Sequence, residues 1–212
     1  MRRLLALVAL VLAGSIGRAE ASTVTFEDIG VAVGADVTYF SPDPISGGFL
    51  FDAQTHSHIA NASWNTDNGG SYLVVDEVFG PDALTISPVS GGPFALTSID
   101  ISEAHGLSGF YARRVLITGN VFSGGTVSRT LVLDNNWAPV LANYFETFTF
   151  DAGWGNLSSF TLTGAGAPVA GNYYAIDNVV VGSAASVPEP GTLSLLDLGS
   201  AYLIRRRRRN GR

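Results

Sequence analysis

The sequence predicts an all-β domain built as an antiparallel β-sandwich, and three observations support that fold class. Short runs rich in Val, Ile, Thr, Phe and Tyr recur along residues 22–186, and many of them alternate in polarity. Clusters of Gly, Asn, Asp and Pro separate these runs. The same stretch contains no apolar spacing typical of a helix, and about ten strands in such a series are typical of sandwiches. The predicted strands are 23–27, 48–52, 71–76, 84–86, 94–102, 115–121, 127–133, 144–150, 157–163 and 173–181.

Turn residues and alternating polarity delimit the individual strands. A Pro-Asp-Pro and a Gly-Gly pair precede the second strand, and residues 67–70 form a turn before the third. Residues 123–125, Ser-Gly-Gly, predict a hairpin connection between two apolar runs. Residues 94–102 alternate, so one face of that strand is expected to meet the core. Four phenylalanines of the later strands are expected in the core: Phe145, Phe148, Phe150 and Phe160.

A secretory signal peptide is predicted at the N-terminus. Arg2 and Arg3 precede an apolar or small-residue stretch at 4–16, and residues 19–21 offer an A-x-A cleavage site. The stretch is too short to span a membrane as a helix. We therefore expect the signal helix to be removed and the mature chain to begin near Ser22.

The C-terminus carries a proline motif, an apolar run at 193–204 and five arginines at 205–209. The prolines fix φ and disfavour helix in the residues before them, so the motif is expected to be extended. The apolar run, expected to form a short helix, would reach about 18 Å, well short of a hydrocarbon core of about 30 Å. Asp197 within it costs about 2.5–3.5 kcal/mol on insertion scales, so the run is a poor permanent anchor. The motif residues are Val187, Pro188, Glu189 and Pro190.

This tail resembles the PEP-CTERM sorting tail of bacterial surface and exopolysaccharide-associated proteins. The resemblance implies cleavage by an exosortase of the inner membrane after export by the Sec translocon. The arginine block would hold its end on the cytoplasmic side. Asp197 and the short apolar run depart from the more apolar family pattern, and the alternative is an ordinary basic C-terminus. The resemblance implies an exported cell-surface or extracellular protein that meets the membrane transiently through its tail.

Charge and cysteine content narrow the function of residues 22–186. Arg113, Arg114 and Arg129 are the basic residues of this segment, which holds most of the 18 acidic residues of the chain. Such a domain repels nucleic acid and anionic lipid headgroups, and it favours divalent cations. The chain has no cysteine, which removes thiol catalysis, thiolate metal sites and disulfides.

The ordered series of strands resembles the jelly-roll modules of bacterial carbohydrate-binding and galactose-binding-like proteins. The segments that carry this resemblance are FALTSIDIS, RRVLITGNV, SRTLVLD, FETFTFD, LSSFTLTG and YYAIDNVVV. It implies two packed sheets with a ligand surface on one sheet or at the loop end. It also implies a structural Ca²⁺ between an early Phe-Glu on the first strand and a late Asp-Asn-Val, matched here at Glu27 and Asp177. Ca²⁺ takes six to eight oxygen ligands, and two carboxylates without a cation repel. The alternative is that Asp177 caps a turn and Glu27 faces solvent.

His56 and His58 lie two residues apart and share one face if the stretch is a strand. A His-x-His pair can hold zinc or copper. The sequence shows no third ligand near them, since His105 is distant and Asp52 is two pleats away. Two histidines on a surface strand are the simpler interpretation.

Aromatic residues in polar loops are candidates for stacking against sugars. Trp64 lies among Asn and Asp residues, and Trp137 follows Asp134, Asn135 and Asn136. Sugar rings present C–H faces to aromatic rings, and neighbouring amides and carboxylates bind hydroxyl groups. The predicted ligand-binding residues are Trp64, Trp137 and Tyr72, with Trp154 as a further candidate. The alternative is that loop tryptophans plug the ends of a sandwich.

Enzyme signatures do not stand out in the sequence. It shows no Gly-x-Ser-x-Gly and no Ser-His-Asp order, and its Gly-Gly pairs are turns without a strand-to-helix phosphate loop. Carboxylates are numerous, so a pair for glycoside cleavage stays open by count. We expect a signal peptide at 1–21, a non-catalytic β-sandwich at 22–186 that binds extracellular polysaccharide, and a sorting tail at 187–212. The alternatives are an extracellular glycan hydrolase and a structural matrix protein with no specific ligand.

Overall fold

The computed structural model describes residues 21–39, 42–64, 66–76, 83–104, 109–135, 144–169 and 171–184. These residues form thirteen strands and one turn of 3₁₀ helix. The strands are β1 Ser22–Val24, β2 Asp36–Tyr39, β3 Ile45–Ser46, β4 Phe49–Ala53, β5 Ser57–Asn61, β6 Ser71–Val75, β7 Ala83–Pro88, β8 Phe94–Glu103, β9 Arg114–Val121, β10 Thr126–Val132, β11 Glu146–Thr149, β12 Leu157–Ala165 and β13 Tyr174–Ser183. The 3₁₀ turn is Ala152–Trp154. The predicted signal helix and sorting tail, with the motif at 187–190, lie outside the described residues, as does Trp137.

The strands pair antiparallel in two groups. One group has the order β2-β5-β6-β13-β8-β11, with β1 also paired to β13. The other has the order β10-β9-β12-β7-β4-β3. A single pair, Leu157 with Phe94, joins the groups into one curled sheet. The predicted all-β, antiparallel, jelly-roll-like sandwich is confirmed.

The main core lies between the two groups of strands. Its buried side chains come from both groups, because alternate residues of each strand point inward. Phe94 of β8 contacts Phe49 of β4 and Phe160 of β12, with ring centroids 5.2 and 6.1 Å apart. The Tyr174 hydroxyl donates to the Leu162 carbonyl across the core at 3.2 Å. Burial of these side chains is the main source of stability.

A second apolar cluster covers the outer face of the first group of strands. Every residue of β6 is buried, since Leu73 and Val75 face the main core and Tyr72 and Val74 face outward into this cluster. We call it the outer cluster. It comprises Ala60, Tyr72, Val74, Ala104, Tyr173 and Ala175, with Trp64, Phe110 and Phe145 packed against them.

The structure corrects several element bounds. The strand expected at 23–27 ends at Val24, so Glu27 lies in a turn after β1 rather than on the strand. Strands β2 and β3 were not predicted, and β5 was only a conditional assignment, because these short segments lack a strong apolar alternation. Phe160 is fully buried, while Phe148 and Phe150 are partly buried against the main core. Phe145 packs on the outer cluster instead.

Candidate functional site

The loop that carries Trp64 connects β5 to β6 and is held by Tyr72. The Tyr72 hydroxyl accepts from the Ser63 N–H at 3.1 Å and donates to the Thr66 carbonyl at 2.7 Å. Burial raises the pKa of Tyr72 to about 12, so the hydroxyl remains a donor. Ala62 and Trp64 have φ values of 48° and 52°, which non-glycine residues rarely adopt. Strained backbone of this kind concentrates at functional sites.

Tyr72 itself is fully buried, which leaves no exposed ring face for the predicted contact with a ligand. Its ring packs against Phe145 with centroids 5.5 Å apart. The sequence predicted Tyr72 on the strand at 71–76, but it did not predict that both faces of this strand are covered. The role of Tyr72 is to position the loop of Trp64.

Trp64 is partly buried at the edge of the outer cluster. Its ring lies 4.7 Å from the His58 ring and 6.0 Å from the Tyr173 ring, measured between centroids. These two neighbours fix the orientation of the indole while part of it stays exposed. Trp64 therefore combines a packed ring with an accessible edge, on a face that also carries polar groups.

The His-x-His pair lies next to Trp64 and meets a carboxylate that sequence reasoning missed. His56 Nε2 is 3.2 Å from Asp76 Oδ2, and His58 Nε2 is 3.8 Å from the same oxygen. The antiparallel register pairs Ser57 with Val75, and its continuation places His56 opposite Asp76. All three residues are visible in the sequence, but only the pairing of β5 with β6 shows that Asp76 lies next to the two histidines.

Asp76 is buried and stays ionised. Burial acts to raise its pKa, but hydrogen bonds to neighbouring groups, Tyr173 and His56 among them, outweigh that effect and hold the pKa below its usual value. The Tyr173 hydroxyl hydrogen-bonds to the same carboxylate, and burial with this bond raises the pKa of Tyr173. His58 was expected on a surface strand, but only 7% of it is exposed.

Glu27 and Asp177 both form hydrogen bonds to the segment that leads into β6. Glu27 Oε1 accepts from the Ser71 N–H at 2.7 Å, and the Asn68 amide donates to Asp177 Oδ2. A Cβ on Gly70 would collide with the Glu27 carboxylate, so the loop packs closely on it. Asp177 is 4% exposed. Among the described residues its Oδ1 has no hydrogen-bond partner.

The surroundings of this pair are electrostatically unfavourable for a buried anion. Burial, followed by the charges of Asp100 and Glu27, raises the pKa of Asp177 to about 7, against opposing hydrogen bonds. Phe26 and Asn178 flank the two carboxylates with φ values of 59° and 44°. A bulge in β13 follows Asp177. A hard cation such as Ca²⁺ could bind both the unpartnered oxygen of Asp177 and the neighbouring carboxylate.

A third group of carboxylates lies where β8 ends. One oxygen from each of Glu103, Asp134 and Glu146 lies within 4.8 Å of the others. Glu103 Oε1 accepts from the Asn135 N–H at 2.8 Å, and Glu146 Oε1 accepts from the Asp134 N–H at 2.9 Å. Burial raises the pKa of Glu103 to about 7, with the charges of Asp134 and Glu146 adding to it against opposing hydrogen bonds.

Trp154 and an open groove on the surface are two other candidate positions for ligand binding. Trp154 is 3% exposed and packs on Phe150 with ring centroids 4.8 Å apart, so it plugs the sandwich. An open groove of about 620 Å³ is lined by the turns at 47–48 and 88–93 and by the end of β13. Its lining has no charged side chain, which leaves few groups to orient a polar ligand.

Comparisons with known proteins give structural neighbours only. No family model matches the sequence, and no curated protein matches it. One similar structure is a Clostridium perfringens module, CBM32-5, in complex with GalNAc-β-1,3-galactose (9% identity, 62% of this chain, 96% of that chain, TM-score 0.40). Another is CBM32-3 from a family 31 glycoside hydrolase of the same organism (18%, 65%, 92%, TM-score 0.40). A third is the family 32 module of Clostridium perfringens NanJ in complex with galactose (11%, 74%, 98%, TM-score 0.39).

Within the part of the chain that the structure describes, no helix is long and apolar enough to cross a bilayer.

Proposed function

We propose that residues 22–186 form an exported, non-catalytic domain that binds extracellular polysaccharide through the face around Trp64. The single observation that carries the proposal is the mounting of Trp64 on a loop fixed by buried Tyr72. The loop conformation is costly, at about 1–3 kcal/mol for each residue held in such a region.

The groups around Trp64 suit a hydroxylated ligand. Apolar sugar faces pack on aromatic rings, while a few placed polar groups orient the ligand. Trp64 supplies the ring, and His58 and Asp36 lie at its side, joined by a 2.8 Å contact. Asp36 is exposed and acidic, so it offers acceptors for sugar hydroxyl groups.

Binding to a panel of bacterial exopolysaccharides tests this proposal. Trp64→Ala is expected to weaken binding at least tenfold, or about 1.4 kcal/mol, because the stacking surface is lost. Phe122→Ala is the matched control, since Phe122 is 53% exposed at the turn between β9 and β10, away from β5 and β6. Equal losses in the two variants, or no binding by the parent chain, would overturn the proposal.

We also propose that the chain is exported and sorted by an exosortase, on the strength of the signal-peptide pattern and the tail motif. Mass spectrometry of the protein from an exosortase-positive host is expected to show cleavage near both ends. Pro188→Ala with Pro190→Ala should leave the tail attached, whereas Thr192→Ala should not. An intact tail on the parent protein in such a host would contradict this.

A structural Ca²⁺ held by Glu27 and Asp177 is part of the same proposal. The residues fit the ion, because Asp177 Oδ1 is buried without a partner among the described residues and Glu27 is its charged neighbour. The cation would neutralise both carboxylates and fix the turn after β1 against β13. Its role is structural, since Asp177 is buried.

A glycan hydrolase is the second candidate, and Glu103 is the observation that favours it. A carboxyl group with a raised pKa beside other carboxylates has the properties of a general acid. Against this, Glu103 is only 4% exposed. Reducing ends released from a polysaccharide by the parent protein, but not by Glu103→Gln, would establish the hydrolase.

A further inference from the structure

We propose that His56, His58 and Asp76 form a binding site for a divalent transition-metal ion such as zinc, on the outer face of β5 and β6. One ligand atom from each residue lies within 4.8 Å of those of the other two. The site does not depend on sugar binding, because its ligands are fixed by the fold itself.

The separations between ligand atoms match a tetrahedral ion. Zinc bonds of about 2.0–2.2 Å place neighbouring ligand atoms about 3.3–3.6 Å apart. Asp76 Oδ2 lies 3.2 Å from His56 Nε2 and 3.8 Å from His58 Nε2. Small side-chain movements would bring all three atoms to a common centre.

The second nitrogen of His58 is already held in the way that metal-bound histidines are held. Its Nδ1 lies 2.8 Å from Asp36 Oδ2, and a carboxylate can only accept, so Nδ1 carries the proton. In the neutral ring this leaves the lone pair on Nε2. Metal-bound histidines commonly donate their other N–H to a carboxylate in this way.

His58 Nε2 is the observation that points to a ligand. It is buried, and it has no hydrogen-bond partner among the described residues. At 3.8 Å the Asp76 oxygen is too far for a hydrogen bond. A buried ring nitrogen without a partner is costly, and a metal ion between it and Asp76 would remove that cost.

The chemistry of the donor set selects a transition metal over calcium. Imidazole nitrogen suits Zn²⁺, Cu²⁺, Ni²⁺ and Fe²⁺, whereas Ca²⁺ takes oxygen ligands. Three protein ligands leave a fourth position for water or an exogenous group. The hydrogen bond from Tyr173 to Asp76 orients the carboxylate, as outer ligands do in known metal sites.

Calorimetric titration of the untagged, chelator-treated full chain with Zn²⁺ tests the site. Excess Ca²⁺ is kept present so that oxygen-only sites are occupied. The parent chain is expected to bind one Zn²⁺. His58→Gln and Asp76→Asn are expected to abolish binding, and Asp36→Asn to weaken it about 10–100-fold, because the orientation of His58 is lost.

Controls separate a lost site from a lost fold. Asp52→Asn removes an exposed carboxylate on β4 and should leave zinc affinity unchanged. His56 is more accessible, so His56→Gln carries the test if His58→Gln fails to fold by circular dichroism. Absence of saturable binding by the parent chain, or undiminished binding by folded His56→Gln, would overturn the proposal.

Discussion

The two faces of the β2-β5-β6-β13-β8-β11 sheet are built differently. The inner face meets the main core, which is made of aliphatic and aromatic side chains from both groups of strands. The outer face buries apolar residues too, but it intersperses them with His58, Asp76, Thr66 and Ser102. Ser57, Ser71 and Glu103 are also buried on the inner side, but the outer face places two histidines and a carboxylate among its apolar residues.

Within the described part of the chain, buried polar atoms without a hydrogen-bond partner occur on both faces, and the informative ones lie beside other ionisable groups. Native proteins pair nearly all such groups, and each exception calls for an explanation. His58 Nε2 and Asp177 Oδ1 are exceptions among the described residues, and each adjoins a group that could share a cation with it. The main core therefore supplies stability, whereas these polar positions are the basis for the two proposed metal sites.

The largest expected effect is a difference in the free energy of unfolding between a variant of the main core and a variant of Trp64. Phe160→Ala is expected to lower the free energy of unfolding by about 3–5 kcal/mol, since the ring is fully buried. Trp64→Ala should cost clearly less, because its ring is only partly buried. Urea denaturation of both variants measures this, and an equal cost would make Trp64 a core residue rather than a binding residue.

A smaller effect is expected from Glu103, whose buried carboxyl group makes stability depend on pH. Its folded pKa of about 7 lies above the ordinary 4.5, so the folded state binds the proton more tightly. Its contribution is thus fully present below pH of about 4.5 and is lost as pH rises towards 7. Glu103→Gln should raise the free energy of unfolding at pH 8 by at most about 3 kcal/mol.

Melting curves of the parent and Glu103→Gln between pH 4 and 8 would show this as a flatter profile for the variant. Asp134 and Glu146 face Glu103, so their charges contribute to the parent slope. Parallel profiles would mean that Glu103 titrates normally.

Calcium removal should have an effect of similar or smaller size. An ion at about 100 times its Kd stabilises by about 2.7 kcal/mol, and a chelator removes that. Glu27→Gln and Asp177→Asn are expected to abolish the response to chelator. Asp28→Asn should keep it, because Asp28 bonds to Ser46 and Gly47 instead. If the melting temperature of the parent chain is the same with and without chelator, the proposed calcium site is contradicted.

Strands could be predicted from the sequence where buried and exposed residues alternate along the chain. The alternation in β8, β12 and β13 predicted strands and inward side chains, because one face of each meets the main core. β5 was not predicted firmly. Both of its faces are buried, so its residues show no alternation of apolar and polar side chains. Its burial depends on β2, β6 and the outer cluster, which are contacts at long range.

The candidate site was predicted in part for the same reason. The His56 and His58 pair was visible as a short motif, and the calcium site at Glu27 and Asp177 stays a prediction. Asp76 and Asp36 were missed, because both reach the histidines only through strand pairing. The burial of Tyr72 was not predicted, since its cover comes from Phe145, more than 70 residues later.

Hydrogen exchange of the full chain, with and without a bound exopolysaccharide, would locate the binding surface. We expect new protection in the Trp64 loop, at 62–64 and 66–70, and at the neighbouring ends of β5 and β6. Protection at the groove turns 47–48 and 88–93, or at the β9–β10 turn, would contradict the proposed binding surface.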